Sequence, residues 1–542
     1  MAYGLRVAPP VNGLEPRFYG DLFGSHTDNQ PITELADDHA GVDTPMFEFL
    51  HFYNRIWVDP LTLNLGNLIS EQIRTISVFN AFFVDHTLDS ITSENDSGLT
   101  LTQPVSLPFE LKPLQELIYT LNASSSGSPD VDASYIFTFD DVTVTVEVIA
   151  TRVVAWTWEP NWATKPTERL EWLTDVMKSF NGHEQRRALR AGPRQFWEFA
   201  FNIYGHDRQR FETILYGWGA RPWALPQWMD GADLAADLPA GTVVIPVDTV
   251  NRDYHADGIG IFIAGFGETF ESFEILSVAD DAITLKRAIL NDWPAGSRIY
   301  PTRTARLQDP RLLARAVRSY LTGTASFRSE EQILGIAAVE TQYRGYGVME
   351  FQPNWRDGTT LEFDPLLQEL DSQTGVVVWD DESGYPELVD SHAWTALDRA
   401  TCNQIRQWAY ARQGRLTSVW VPSWASDLTL SESLSSTDTQ INVLRTGLLQ
   451  FIDAGAGRRD IRISLVDGSI FYRRVSGFAN VDDTSDRMTL SAPLGVDVGP
   501  ADVDLICWMT LARSDSDSIE IDWNTWSVAE TALVLRSVNN DI

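Results

Sequence analysis

Two cysteines in 542 residues, Cys402 and Cys507, are too few for a disulfide framework. They lie far apart and in no metal-ligand spacing, so a single disulfide is the most they could form. Long apolar runs are also missing. None approaches the roughly 18 residues of a membrane-spanning helix, and residues 1–6 have neither the basic start nor the apolar stretch of a signal peptide. No membrane span and no export signal are expected, and the chain reads as made and folded in a cytoplasm. Basic residues are scarce: 41 Lys+Arg face 75 Asp+Glu, a net charge of −34. Residues 1–150 hold 5 of the basic and 21 of the acidic ones, 5 − 21 = −16. Binding DNA through counterion release needs a basic surface, so no stable nucleic-acid partner is expected. The plain reading of such a surface is solubility. The functional one is the wall of a conduit through which DNA slides without sticking.

Catalytic patterns are missing as well. The eight histidines form no HExxH or paired-ligand spacing, and His183 and His206 read as surface residues. Gly258-Ile259-Gly260 followed by Gly265 fits neither a dinucleotide nor a phosphate loop and reads as a closely packed strand. No GxSxG elbow occurs. Asp515-Ser516-Asp517-Ser518 lacks the glycine and fifth ligand of a calcium loop and reads as a turn. Asp380-Asp381-Glu382 could in principle serve glycoside hydrolysis, but its counterpart in the duplication described next is basic, which argues for a solvated loop. No catalytic, cofactor-binding or metal-binding residue is expected, and the chain is expected not to be an enzyme.

What the chain has in abundance is tryptophan, 19 residues, and an internal duplication. Six matches recur in order. Glu159-Pro160-Asn161-Trp162 matches Gln352-Pro353-Asn354-Trp355. Leu170-Glu171-Trp172 matches Leu361-Glu362-Phe363, and Trp197 matches Trp394. Leu225-Pro226-Gln227-Trp228 matches Val421-Pro422-Ser423-Trp424, Ala282-Ile283-Thr284-Leu285 matches Arg487-Met488-Thr489-Leu490, and Ala305-Arg306 matches Ala512-Arg513. Each copy contains one short amphipathic helix, expected over 207–218 and 398–412. Each then has an extended Pro-x-Trp segment and a β insertion of short strands. Residues 167–180 read as strand despite some helical spacing.

The expected fold is mainly β with short helices. Residues 1–65 form an arm, 66–155 an immunoglobulin-like sandwich with a loop tip at Ser124–Pro129, 156–335 copy one and 336–542 copy two. The insertions span about 230–303 and 426–508 and read as small barrels or sandwiches. Trp197, Trp228, Trp394 and Trp424 are expected to be buried anchors; exposed Trp faces at 228 and 424 would instead suit a sugar-binding platform.

Gly182-His183-Glu184-Gln185-Arg186, then Pro193-Arg194, Trp197 and Pro226-Gln227-Trp228, resemble the distal-tail and baseplate proteins of long-tailed bacteriophages and related gene-transfer-agent tail proteins. The resemblance covers about 70 residues well and, through the duplication, about 370 loosely; copy two lacks the G-x-E-Q-R part. It implies a homo-oligomeric ring at the tube-to-tip junction of a virion, six-fold first and three-fold second, with tube, hub and fibre proteins as partners and no catalytic residue. The rival class is a polysaccharide-binding or polysaccharide-degrading protein.

Overall fold

The computed structural model describes residues 52–539, apart from 125–129, 141, 268, 309–312, 332–334, 356–358, 382, 448 and 450–457. The chain is mainly β and divides into two compact units, 1–153 and 154–542. Among the described residues no helix is long and apolar enough to cross a membrane.

The first unit holds nine strands: β1 (Ile56–Asp59), β2 (Thr62–Leu68), β3 (Gln72–Asn80), β4 (His86–Glu94), β5 (Leu99–Thr102), β6 (Phe109–Leu111), β7 (Glu116–Ala123), β8 (Asp130–Phe139) and β9 (Thr143–Arg152). They form two sheets, ordered β1-β3-β7-β5 and β2-β9-β8-β4-β6. Alternation explains the layering: Val146, Val148 and Ala150 on β9 are buried, while Glu147, Ile149 and Thr151 between them are exposed. Leu117, Tyr119 and Leu121 on β7 belong to the same apolar core as Phe137 on β8, and Tyr119 meets Phe137 edge-on at 5.3 Å. The expected arm must be shortened, because β1 and β2 belong to the sandwich; residues 1–51 lie outside the described set, as does 125–129 of the expected loop tip.

The second unit contains the same succession of elements twice. Module one comprises β10 (Val154–Ala155), β11 (Thr167–Glu171), β12 (Thr174–Lys178), β13 (Glu184–Ala188), β14 (Arg194–Tyr204), α1 (Gly205–Trp218), β15 (Pro222–Pro226), β16 (Ala232–Asp233), β17 (Val244–Pro246), β18 (Ile259–Ala264), β19 (Thr269–Ala279), β20 (Ala282–Leu285), β21 (Arg298–Leu307), β22 (Leu313–Val317) and β23 (Tyr320–Ser329). Module two comprises β24 (Gln342–Tyr343), β25 (Tyr346–Val348), β26 (Thr360–Asp364), β27 (Leu367–Leu370), β28 (Val378–Asp381), β29 (Glu387–Ala396), α2 (Arg399–Arg412), β30 (Val419–Pro422), β31 (Gln440–Leu444), β32 (Asp460–Leu465), β33 (Ile470–Asn480), β34 (Ser485–Leu490), β35 (Val503–Ser514), β36 (Ser518–Thr525) and β37 (Val528–Ser537).

Most pairings correspond, β16–β21 and β24–β25 being peculiar to one module each. The parallel pair β10–β15 answers to β25–β30. The antiparallel pairs β11–β14, β14–β23, β15–β21 and β22–β23 answer to β26–β29, β29–β37, β30–β35 and β36–β37. Two β-bulges coincide. The one between Arg315 and Val317 has its equivalent between Trp523 and Thr525, and the one between Ile275 and Ser277 has its equivalent between Val475 and Gly477.

Register corrects two of the sequence matches. Asn161 N–H bonds to Ala200 O and Asn354 N–H to Ala393 O, which fixes a spacing of 193 from 161 to 354 and from 200 to 393. That spacing holds across β11 and β14, so Leu170 corresponds to Phe363 and Phe201 to Trp394. The Leu170–Leu361 and Trp197–Trp394 equivalences are therefore shifted by two and four residues. The matches at Asn161/Asn354, Pro226/Pro422, Ile283/Met488 and Ala305/Ala512 lie in register.

Of residues 167–180, expected as strand, Thr167–Glu171 and Thr174–Lys178 are strand, β11 and β12. The helices begin and end close to the expected positions. Asp398 caps α2 by accepting from Thr401 N–H, whereas α1 follows β14 directly and has no side-chain cap. The insertions do not stand apart as the expected bounds implied, since β21 and β35 belong to both. One half of β21 pairs with β16 and β18 of the insertion, and the other with β15 and β23 of the parent sheet. The inserted strands surround their own cores, built on Phe262, Ile275 and Trp293 in module one and on Ile463, Val475 and Trp508 in module two, and among the described residues no barrel closes.

Trp197, Trp228, Trp394 and Trp424 are all buried, at 2–6% exposure. Aromatic knots anchor each module. Trp156 packs edge-on against Phe201, Phe211 and Phe327 at 5.0–5.5 Å. In module two Phe351 and Trp394 pack on Trp408 of α2.

Candidate assembly interface

The modules are joined by strand pairing across the duplication. Thr167–Glu171 of β11 runs antiparallel to Ser518–Asp522 of β36, and Thr167 Oγ1 donates to Asp522 Oδ1 at 2.7 Å. The hairpin β12–β13 then reaches over module two as an arm, presenting alternate residues to it. Glu184 grips Arg513 with two hydrogen bonds, at 2.6 and 2.7 Å. Arg186 Nη1 donates to Leu416 O and Ser418 Oγ, both at 3.0 Å, and Lys178 pairs with Glu387 at 2.5 Å. Thr174 N–H donates to Asp517 Oδ2 at 2.8 Å, while Arg415 N–H donates to Asp517 Oδ1 at 3.0 Å.

In return, α2 covers the sheet face of module one. Arg406 donates to Glu168 Oε2 at 2.7 and 2.9 Å and to Asp230 Oδ2 at 2.8 Å. Its guanidinium also lies over the Trp523 ring, 4.8 Å from the centroid. Arg399 pairs with Asp230 and donates to Met229 O. Glu168 and Asp230 are at most 1% exposed and Arg406 is 8% exposed. Charges so deep are tolerable only when paired, and removing one partner of such a cluster costs about 3–5 kcal/mol. Burial disfavours the charge on Arg406, and Glu168 more than offsets it, so its pKa is held above the usual value. Burial likewise opposes the charge on Arg513 and Glu184 reverses the balance. For Asp517, burial resists ionisation, but the Arg415 and Thr174 amides and the Arg415 guanidinium outweigh it and hold the carboxyl below its usual range.

None of these residues was singled out for a role, apart from Glu184 and Arg186 within the G-x-E-Q-R stretch and Asp517 within a rejected calcium loop. Glu168 and Arg406 are 238 positions apart, and no local pattern pairs them. Gly182 has φ +81, and a Cβ there would meet Leu366 of module two at 2.8 Å, so the motif's glycine serves a close approach. The equivalent stretch of module two, Gly375-Val376-Val377-Val378-Trp379, carries neither the Glu nor the Arg.

The remaining sequence candidates fall elsewhere. His183 and His206 are exposed. Gly260 faces Phe273, whose ring would lie 2.2 Å from an added Cβ, in keeping with close strand packing. Asp380 and Asp381 lie on the exposed hairpin β27–β28, where Asp381 accepts from Ser383 and the Gly384 amide and its pKa is lowered, first by Ser383; Glu382 is outside the described residues. Cys402 and Cys507 are buried free thiols whose pKa burial raises. Among the described residues no group of three His, Cys, Asp or Glu is arranged to hold a metal. No protein-family model matches the sequence, and no curated protein matches it significantly.

Proposed function

We propose that the protein is a structural component of a phage tail tip or baseplate, of the distal-tail kind. It forms a homo-oligomeric ring that joins the tail tube to the host-recognition apparatus and lets DNA pass. It acts by assembly, not catalysis, and tube, hub and fibre proteins are its neighbours in the virion. The observation that carries this reading is the head-to-tail contact between the two modules. Contacts of that kind build rings when the rotation closes, and here the chain holds two links of such a series. A six-module ring takes three chains, and a twelve-module ring takes six. The net charge of −34 suits a lumen that leaves passing DNA unbound, and salt screens the self-repulsion beyond about 8–10 Å.

The rival reading, a polysaccharide-binding or polysaccharide-degrading protein, needs exposed aromatic platforms. Trp228 and Trp424 are buried, while Trp355, Trp379 and Trp526 are exposed by 49–59%. Register places Trp379 opposite Arg186 and Trp526 opposite Arg318, so two of the three exposed tryptophans have no tryptophan counterpart in module one. Antibody labelling of virions tests the proposal: labelling at the tail tip supports it. Labelling of no virion structure, together with saturable polysaccharide binding by a folded monomer, overturns it.

A further inference from the structure

The contact between modules has two sides, and each module carries both. Module one uses its outgoing side, the β11 edge and the β12–β13 arm, inside the chain. Module two uses its incoming side there, the β36 edge and the surface around α2. The other two sides are left over. Among the described residues, β26 pairs only with β29 and β22 only with β23. The arm β27–β28 is exposed along its length, and a groove of about 170 Å³ beside Trp355, Leu361, Asp390 and His392 lies where the equivalent face of module one receives α2. Unpaired strand edges, and exposed apolar clusters such as Leu367, Leu370, Val378 and Trp379, are what native proteins ordinarily cover.

We infer that the outgoing side of module two docks on the incoming side of module one in a second copy of this chain, repeating the internal contact. The inference rests on the ring reading and names the surfaces that would close it. Three features of the leftover surfaces match each other. First, the edges align: the Thr167–Asp522 pair maps by register onto Thr360 and Ala314. Second, the charge pair is reversed but preserved. Lys178 on the first arm meets Glu387, and the corresponding positions are Asp371 on the second arm and Arg194 at the start of β14, both exposed. Third, a polar side-chain contact becomes an apolar one. Arg186 donates to Ser418 Oγ, and the equivalents are Trp379 on the arm and Pro222 on the receiving surface. An arm that carried Arg186 onto this surface would bury a charge against proline; one carrying Trp379 buries an aromatic, the residue type that dominates interface cores.

The test uses the full chain with Thr360→Cys and Ala314→Cys introduced together and oxidised gently. Directly opposed antiparallel positions lie within disulfide reach, and the two native thiols are buried. The expected result is a non-reducing ladder of whole multiples of the chain, with each single variant remaining uncross-linked. Mixing the two single variants should give a dimer alone. In the double-cysteine background, Trp379→Glu should abolish the ladder while leaving the melting temperature unchanged. Asp371→Arg or Arg194→Asp should each weaken association on the order of tenfold, the loss of one desolvated charge contact, and the two reversals together should restore it. Absence of the ladder from a folded double-cysteine variant overturns the inference. So does a ladder indifferent to Trp379→Glu, or no rescue by the combined charge reversal. Rings that form without this cross-link would sink the inference and leave the ring reading standing. A ladder from a protein absent from virions would sink the tail reading and leave the inference standing.

Discussion

The two arms of the second unit share a backbone plan and differ in what they show. The first, β12–β13, turns Thr174, Glu184 and Arg186 toward module two and satisfies each of them there. The second, β27–β28, has Leu367, Val377 and Trp379 at the same positions, and Leu367 and Trp379 are 44% and 59% exposed. The faces behind the arms differ in the same way: Glu168 is buried under Arg406, while its equivalent Leu361 is half exposed. The same fold occurs twice, and the side chains differ between the arm that is docked within the chain and the arm that is left open. A permanent contact folded together with its partner tolerates buried ion pairs, because every charge is matched before the interior closes. On the open arm the positions of Thr174, Glu184 and Arg186 are apolar, Leu367, Val377 and Trp379, set among Glu369, Asp371 and Asp381, a mixture that suits an apolar interface centre with a charged rim.

The comparison is broken most severely at its buried charges. Arg406→Ala leaves Glu168 and Asp230 buried without their shared cation, and chemical denaturation of the second unit should show a loss of about 3–5 kcal/mol. Trp424→Ala should cost a similar amount, about 3–5 kcal/mol, by removing a buried aromatic, although Trp424 lies outside the contact between modules. The informative difference is that Arg406→Ala should also loosen hydrogen-exchange protection along β11 and β36, whereas Trp424→Ala should leave that pairing protected. Protection unchanged by Arg406→Ala would mean that the strand pairing, and not the charge cluster, holds the modules together.

Acid sharpens the comparison further. The carboxyl of Asp517 has a lowered pKa in the folded chain, so its contribution is fully present above the ordinary aspartate range of about 4. It is lost only as the pH falls through the lower folded value. Asp517→Asn should therefore flatten the acid limb of stability without affecting the neutral plateau's pH independence; an unchanged acid limb would remove Asp517 from the contact. The smallest effect is expected at the open arm: Leu367→Glu or Trp379→Glu should alter the stability of the single chain by under about 0.5 kcal/mol. The corresponding changes on the docked side, at Thr174 or Arg186, should destabilise it measurably.

Much of this architecture was legible in the sequence and some was not, for identifiable reasons. Pro-Asn-Trp and Pro-x-Trp located the repeat because proline and aromatic anchors occupy fixed points in each module. The two misplaced equivalences, Leu170 with Leu361 and Trp197 with Trp394, err by two and four residues. Both are even shifts, which in a strand keep every side chain on its original face, so hydrophobic pattern alone cannot reject them. The start of the sandwich was missed because β1 is only four residues long and Gly66, with φ +62, sits at a bulge that breaks the alternation of β2. Burial of Trp228 and Trp424 followed from their matched Pro-x-Trp segments, whereas Trp197 and Trp394 are buried at positions that are not equivalent. The contact between modules did not follow, since Glu168–Arg406 and Glu184–Arg513 join residues that nothing local relates. Only the charges of Glu184 and Arg186 signalled that the first arm makes contacts the second arm does not, since Gly182 has its equivalent in Gly375.

The central claim is that the chain carries one complete head-to-tail contact and the two halves of another. Imaging of single particles of the purified full chain, with the mass of the same sample measured in solution, tests it most directly. The account predicts closed rings whose mass is a whole multiple of 60.8 kDa, with an even number of equivalent modules around each ring and the same spacing within a chain as between chains. A species that stays at 60.8 kDa at every concentration, or an oligomer whose chains meet away from β22 and β26, would contradict it.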